Sequence, residues 1–160
     1  MKKVLFILSI VLLSACGFRP MFTGQTTDIY VEPISGINGI ELRNELWAKF
    51  GNQYGPDATY TLKVRLNTPQ TKYKALEQTG DAAWQEVSLT ASYTLWHNGK
   101  QIASGSDRAS ESYPFVSYLV ASNASYNNAV KNVIRTLSGQ ISTHVIAETY
   151  KYEEQKNTGK

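Results

Sequence analysis

The one cysteine of this 160-residue chain, Cys16, stands directly after Leu13-Ser14-Ala15. Lys2 and Lys3 give a basic start, and Val4 to Leu13 is almost wholly apolar. Such an order is that of a secretory signal with a small-residue cleavage site. Cleavage before Cys16 leaves a thiol and a new α-amine on one residue, and both can be acylated. The arrangement is that of a bacterial lipobox. The other reading is a plain secretory signal with Cys16 there by chance. A spanning helix is disfavoured, because the apolar run is about half of the roughly 20 residues that cross a bilayer. One acyl chain holds a protein only marginally, so a triacylated cysteine would make the anchor firm. Gly17 stands where inner-membrane lipoproteins usually carry Asp, which by analogy favours outer-membrane sorting.

A second set of residues suits anion binding. Lys63 and Arg65 are two apart in an alternating stretch and share a strand face. Lys72 and Lys74 share a face with each other, with Tyr73 opposite. The two pairs differ in parity, so an unbroken strand would put them on opposite faces. A bulge or break near Pro69 would bring them together. The same four residues also describe an ordinary solvated strand face.

Catalytic chemistry has little support. The chain contains no G-x-S-x-G turn and no H-E-x-x-H spacing. His97 sits beside Asn98-Gly99 and His144 lies in a helical stretch, so both are read as surface or interface histidines. Glu153 and Glu154 belong to a charged tail. With Cys16 lipidated, no thiol remains for a disulfide, a metal or a nucleophile. No enzyme, metal or cofactor is expected.

The elements that position these residues follow from periodicity. Residues 1–15 are the signal, 16–27 a tether containing Pro20 and Gly24, 28–150 one domain, and 151–160 a polar tail expected to fray. The signal holds two lysines and no acid, so the net charge of +3 falls to +1 on cleavage. That balance lacks the basic footprint of a nucleic-acid binder.

Asp28 to Ile34 reads as a strand. Ile40 to Phe50 reads as a helix with Leu42, Leu46 and Phe50 in one stripe, Asn38 as N-cap, and Gly51 or Gly55 at its end. Ala58 to Asn67 and Val87 to Leu95 alternate with period two, as half-buried strands do. Asn98-Gly99 marks a tight hairpin before a strand from about Lys100 to Ala109. Thr68 to Asp81 either extends the preceding strand past Pro69 or forms a loop. Ala129, Val130, Val133, Ile134, Leu137, Ile141 and Val145 then trace an amphipathic helix from about Asn123 to Tyr150. The order implies an α+β fold: a mainly antiparallel sheet with two helices on one face. Leu62, Val64, Leu89 and Tyr93 are expected to pack against Leu46 and Leu137.

The segment Cys16-Gly17-Phe18-Arg19-Pro20-Met21-Phe22 resembles the start of the LPS-assembly lipoproteins (the LptE family). So does the proline-containing strand exit before Leu42-Arg43-Asn44-Glu45-Leu46, and the element order matches over residues 16–150. The resemblance implies an outer-membrane lipoprotein with two helices on a sheet of about four strands. It implies a non-enzymatic plug inside the β-barrel LPS translocon subunit (LptD), assisting its assembly and delivery of lipopolysaccharide (LPS) to the outer leaflet. Lys63, Arg65, Lys72 and Lys74 would then be the LPS-binding candidates. The Ser/Thr face of Val87 to Leu95 suits a polar barrel lumen, and equally suits plain solvent. The rival assignment is an auxiliary lipoprotein of a lipid-transport ABC system.

Overall fold

The computed structural model describes residues 28–51, 55, 57–76, 82–115 and 118–158. Its elements are β1 (Ile29–Val31), α1 (Ile37–Phe50), β2 (Tyr60–Leu66), β3 (Gln70–Leu76), β4 (Ala82–His97), β5 (Lys100–Pro114) and α2 (Leu119–Thr158). Cys16, the signal and the tether lie outside the described residues.

The strand β4 organises the sheet. Its 16 residues pair along one edge with β2 and β3, end to end, and along the other with β5. The short β1 pairs with β2 in parallel. The sheet is therefore five-stranded and mixed, where about four mainly antiparallel strands were expected. Both differences have local causes. The chain leaves β1 through α1 and returns alongside it, which makes neighbours parallel. The extended stretch from Tyr60 to Leu76 is interrupted at 67–69 around Pro69, which cannot donate to a ladder, and so counts as two strands.

The hairpin follows the sequence expectation. Asn98 (φ 47°) and Gly99 (φ 76°) both lie left-handed, the geometry of a type I′ turn, and His97 pairs with Lys100 across it.

Both helices cover one face. Helix α1 packs on β1 and β2, α2 on β4 and β5, and the helices touch each other. Leu42, Leu46 and Phe50 are the buried apolar stripe of α1. The seven residues expected from α2 are all buried. Leu62, Leu89, Tyr93, Leu46 and Leu137 join one core, with Val64 partly buried against it.

Two helix ends differ from expectation. Helix α1 begins at Ile37, after Gly36 at φ 84°, with no side-chain cap; Asn38 is inside the helix. Gly51 closes it in the left-handed conformation, donating its N–H to the Trp47 carbonyl. Helix α2 runs past Tyr150 to Thr158. The polar tail is held because Tyr152 packs on the core and lies 5.2 Å from the His97 ring. Glu153 also accepts a hydrogen bond from the Tyr60 hydroxyl.

Candidate polyanion-binding face

Residues directly opposite in a sheet share a face, so the strand register sorts the charged side chains. On β4, Val87, Leu89, Ala91, Tyr93 and Leu95 point into the core. The alternate residues point outward, away from both helices. Lys63 lies opposite Thr94, and Arg65 opposite Ser92, on this outer face. Between the pairs Leu66–Ala91 and Gln70–Ser88, the β2–β3 side advances four residues while β4 advances three. The extra residue is a bulge, and it reverses parity. Lys72, opposite Glu86, therefore joins the same face. A second irregularity at Lys74 leaves its ammonium 3.0 Å from Glu86. The break at Pro69 thus puts the two basic pairs on one face, with Arg65 and Lys72 about 20 Å apart along β4.

A fifth cation, Arg108, was not singled out in the sequence. It lies opposite Thr90 and donates to the Ser88 hydroxyl at 3.0 Å. Its neighbours on β5 are Ser104, Ser106, Ser110 and Ser112, all exposed. Arg108, Ser88, Thr90, Gln70, Thr68 and Asn67 line an open polar groove of about 280 Å³ at the bulge. A second groove, about 430 Å³, includes Lys63, Arg65, Ser92 and Thr94.

The five cations are not equally free. Lys63 pairs with Glu32 at 3.1 Å and lies 5.2 Å from the Trp96 ring centroid. The Lys74 ammonium holds the Glu86 carboxyl below its usual range, helped by Lys72. Among the described residues, Arg65, Lys72 and Arg108 are in no ion pair within 4.0 Å. Guanidinium groups recognise phosphate and carboxylate through paired N–H donors, and hydroxyls around them suit sugars. The face can therefore bind a polyanion bearing phosphate and hydroxyl groups.

The histidines lie under the sheet, not on this face. His97 is buried; its Nδ1 donates to the Thr59 carbonyl (3.1 Å) and its Nε2 accepts from the Asn98 amide (3.2 Å). His144 reaches from α2 to Asp107 Oδ2 (3.1 Å) and the Tyr93 hydroxyl (3.3 Å). Tyr93, where His144 binds, is four residues from His97 along β4, about 13 Å. The two histidines do not converge on one centre. Gly105 makes the Tyr93 placement feasible: a Cβ there would lie 2.4 Å from the Tyr93 hydroxyl oxygen.

These buried phenols carry a pH signature. Burial, then Asp107, push the Tyr93 hydroxyl up to about 12. Burial also raises Tyr60, reinforced by Glu153, and raises Tyr113. In the unfolded chain all three ionise near pH 10. Their stabilising effect is complete below about pH 10 and is lost as pH rises toward 12. Unfolding followed by circular dichroism should show a flat stability near neutrality and a steep fall above about pH 10. In the same window, the share of tyrosinate absorbance that belongs to Tyr60, Tyr93 and Tyr113 should rise in step with unfolding.

Two helices side by side on one face of a five-stranded mixed sheet, with a cationic and hydroxyl-rich opposite face, define an α+β domain. Solved structures share this fold. A candidate lipoprotein of Caulobacter crescentus matches with a TM-score of 0.64 at 17% identity, covering 78% of this chain and 91% of that one. The rare lipoprotein B of Shewanella oneidensis matches at 0.62 and 14% identity, over 78% and 98% of the two chains. The protein XCC0632 of Xanthomonas campestris matches at 0.61 and 10% identity, over 85% and 93%. The fold is thus one found in bacterial lipoproteins. No family model and no curated protein sequence matches the chain.

Proposed function

We propose that this chain is a periplasm-facing outer-membrane lipoprotein, anchored through Cys16, that binds the β-barrel LPS translocon and offers its open sheet face to LPS. Its action is non-covalent. The carrying observation is the outer face, where the register aligns Lys63, Arg65, Lys72, Lys74 and Arg108 on one side of the sheet and, among the described residues, pairs Lys63 with Glu32 and Lys74 with Glu86. Lipid A and its inner core are polyanionic and hydroxyl-rich, the chemistry that this face complements. A barrel lumen is polar, and the Ser/Thr rows of β4 and β5 suit it. The lipobox supplies the anchor, and the fold's occurrence in lipoproteins agrees with it.

Mild-detergent purification of the acylated protein from outer membranes tests the partner. A large β-barrel recovered at one-to-one stoichiometry is expected. Recovery of ABC-transporter components in its place would support the rival assignment. The anchor has its own test: Cys16→Ala should leave the protein unacylated and released from membranes. Retention of that variant in cells lacking the barrel would contradict the anchor.

A further inference from the structure

We propose that the end of the domain farthest from the tether is a second membrane contact, inserting apolar side chains into the interface of a lipid bilayer. Its residues are Trp84, Phe115, Tyr118, Leu119 and Val120. Leu119 and Val120, which open α2, are 74% and 83% exposed, and Tyr118 before them is 81% exposed. Trp84 pairs with Pro114 at the end of the β4–β5 ladder, and Phe115 follows directly; both are exposed. Five large apolar or aromatic side chains at one tip are unlike the singly scattered apolar residues of an ordinary surface.

Several observations favour lipid as the occupant. The side chains protrude, so they suit a deformable apolar medium better than a pocketed ligand. Tryptophan and tyrosine with aliphatic neighbours are the residues that settle at a membrane–water interface. No Asp, Glu, Lys or Arg occurs from Ser112 to Val130, so insertion there desolvates no ionised side chain of that stretch.

The tether length agrees. Asp28 is held at the opposite end, accepting from the Thr59 N–H at 2.8 Å, beside the Tyr60–His97 pair. From His97 to Trp84 is about 43 Å along β4. Twelve tether residues, 16 to 27, reach at most about 42 Å. An acylated Cys16 therefore leaves the domain, when outside the barrel, free to lie along the membrane, held by lipid at one end and by its apolar tip at the other. This tether argument rests on the anchor reading; the contact itself does not.

The test uses the unacylated chain from Gly17, which keeps every residue of the described core. Trp47→Phe and Trp96→Phe leave Trp84 as the single reporter. The probe is vesicles of phosphatidylethanolamine and phosphatidylglycerol. The chain should float with the vesicles, and Trp84 emission should shift to the blue and be quenched by brominated acyl chains. Leu119→Asp with Val120→Asp should cut the bound fraction about tenfold, since interfacial binding scales with buried apolar area. An acid in the first turn suits the helix dipole, so this variant should keep its fold and melting temperature. Absence of flotation, flotation undiminished in the Asp variant, or bound protein with unquenched Trp84 would overturn the proposal. So would a dimer that the Asp variant converts to monomer without vesicle binding, because the tip would then cover a second copy.

Discussion

Leu137→Ala should lower the free energy of unfolding by about 3 kcal/mol, within the range of about 2–5 for a buried leucine cut to alanine. Leu137 is fully buried in the middle of α2 and belongs to the core shared by helices and sheet. The loss combines the transfer energy of the removed carbons with the cavity left where neighbours cannot close in. Domains of this kind have only about 5–15 kcal/mol in total, so the variant should melt at a clearly lower temperature. Urea titration should show a lower midpoint with an unchanged slope, the sign of lost stability without altered compactness. The same truncation at Leu119, 74% exposed, should change stability by less than about 0.5 kcal/mol. Equal effects at the two sites would mean that α2 does not present the face described.

Arg65→Glu combined with Arg108→Glu should weaken LPS binding by on the order of a hundredfold at low salt. Hydrogen bonds to charged groups are each worth about 1.5–3 kcal/mol, and about 1.4 kcal/mol is a factor of ten. Both arginines are exposed, so the lower end of that range applies. Reversal also leaves repulsion where attraction stood. The effect should shrink as ionic strength rises, because surface charges about a Debye length apart are screened. Reversing Lys131, exposed on α2 away from the sheet's outer face, should change binding less than about twofold. Titration of purified LPS into each variant, at two salt concentrations, measures all of this. Neither arginine lies in the core, so melting temperatures should stay close to that of the parent.

The core was legible in the sequence because its signals are long and periodic. Leu42, Leu46 and Phe50 recur with helical spacing, Val87 to Leu95 alternates without error, and Asn98-Gly99 admits few conformations besides the turn it makes. Boundaries were less legible. Nothing local distinguishes Ile37 from Ile40 as the start of α1, since the turn there rests on Gly36 and not on a polar cap. The helical tail from Lys151 to Thr158 depends on Tyr152 and Glu153 meeting His97 and Tyr60, residues far earlier in the chain.

The basic face was half legible for a sharper reason. Strand parity is readable only between bulges. Pro69 signalled one interruption, so a face shared by Lys63 and Arg65 with Lys72 and Lys74 could be stated as conditional on it. The β4–β5 hairpin carries another. Trp96 pairs with Gln101 but Leu95 with Ala103, so Ile102 is an extra residue. Counting outward from the Asn98-Gly99 turn would set Arg108 opposite Leu89, in the core. The bulge moves it opposite Thr90, onto the open face. One signal pointed the right way: serines at 104, 106, 110 and 112 flank Arg108 on the same parity, an unlikely lining for a core.

Site-specific photocrosslinking in intact cells asks whether the outer face meets LPS and a barrel. A photoreactive residue at Ser92, exposed at the centre of the outer face, is compared with one at Thr136, exposed on α2. The Ser92 probe should capture LPS or a large β-barrel, and its LPS adduct should fade when Arg65 and Arg108 are reversed. Absence of both adducts at Ser92, with capture of ABC-transporter components from either position, would contradict the account.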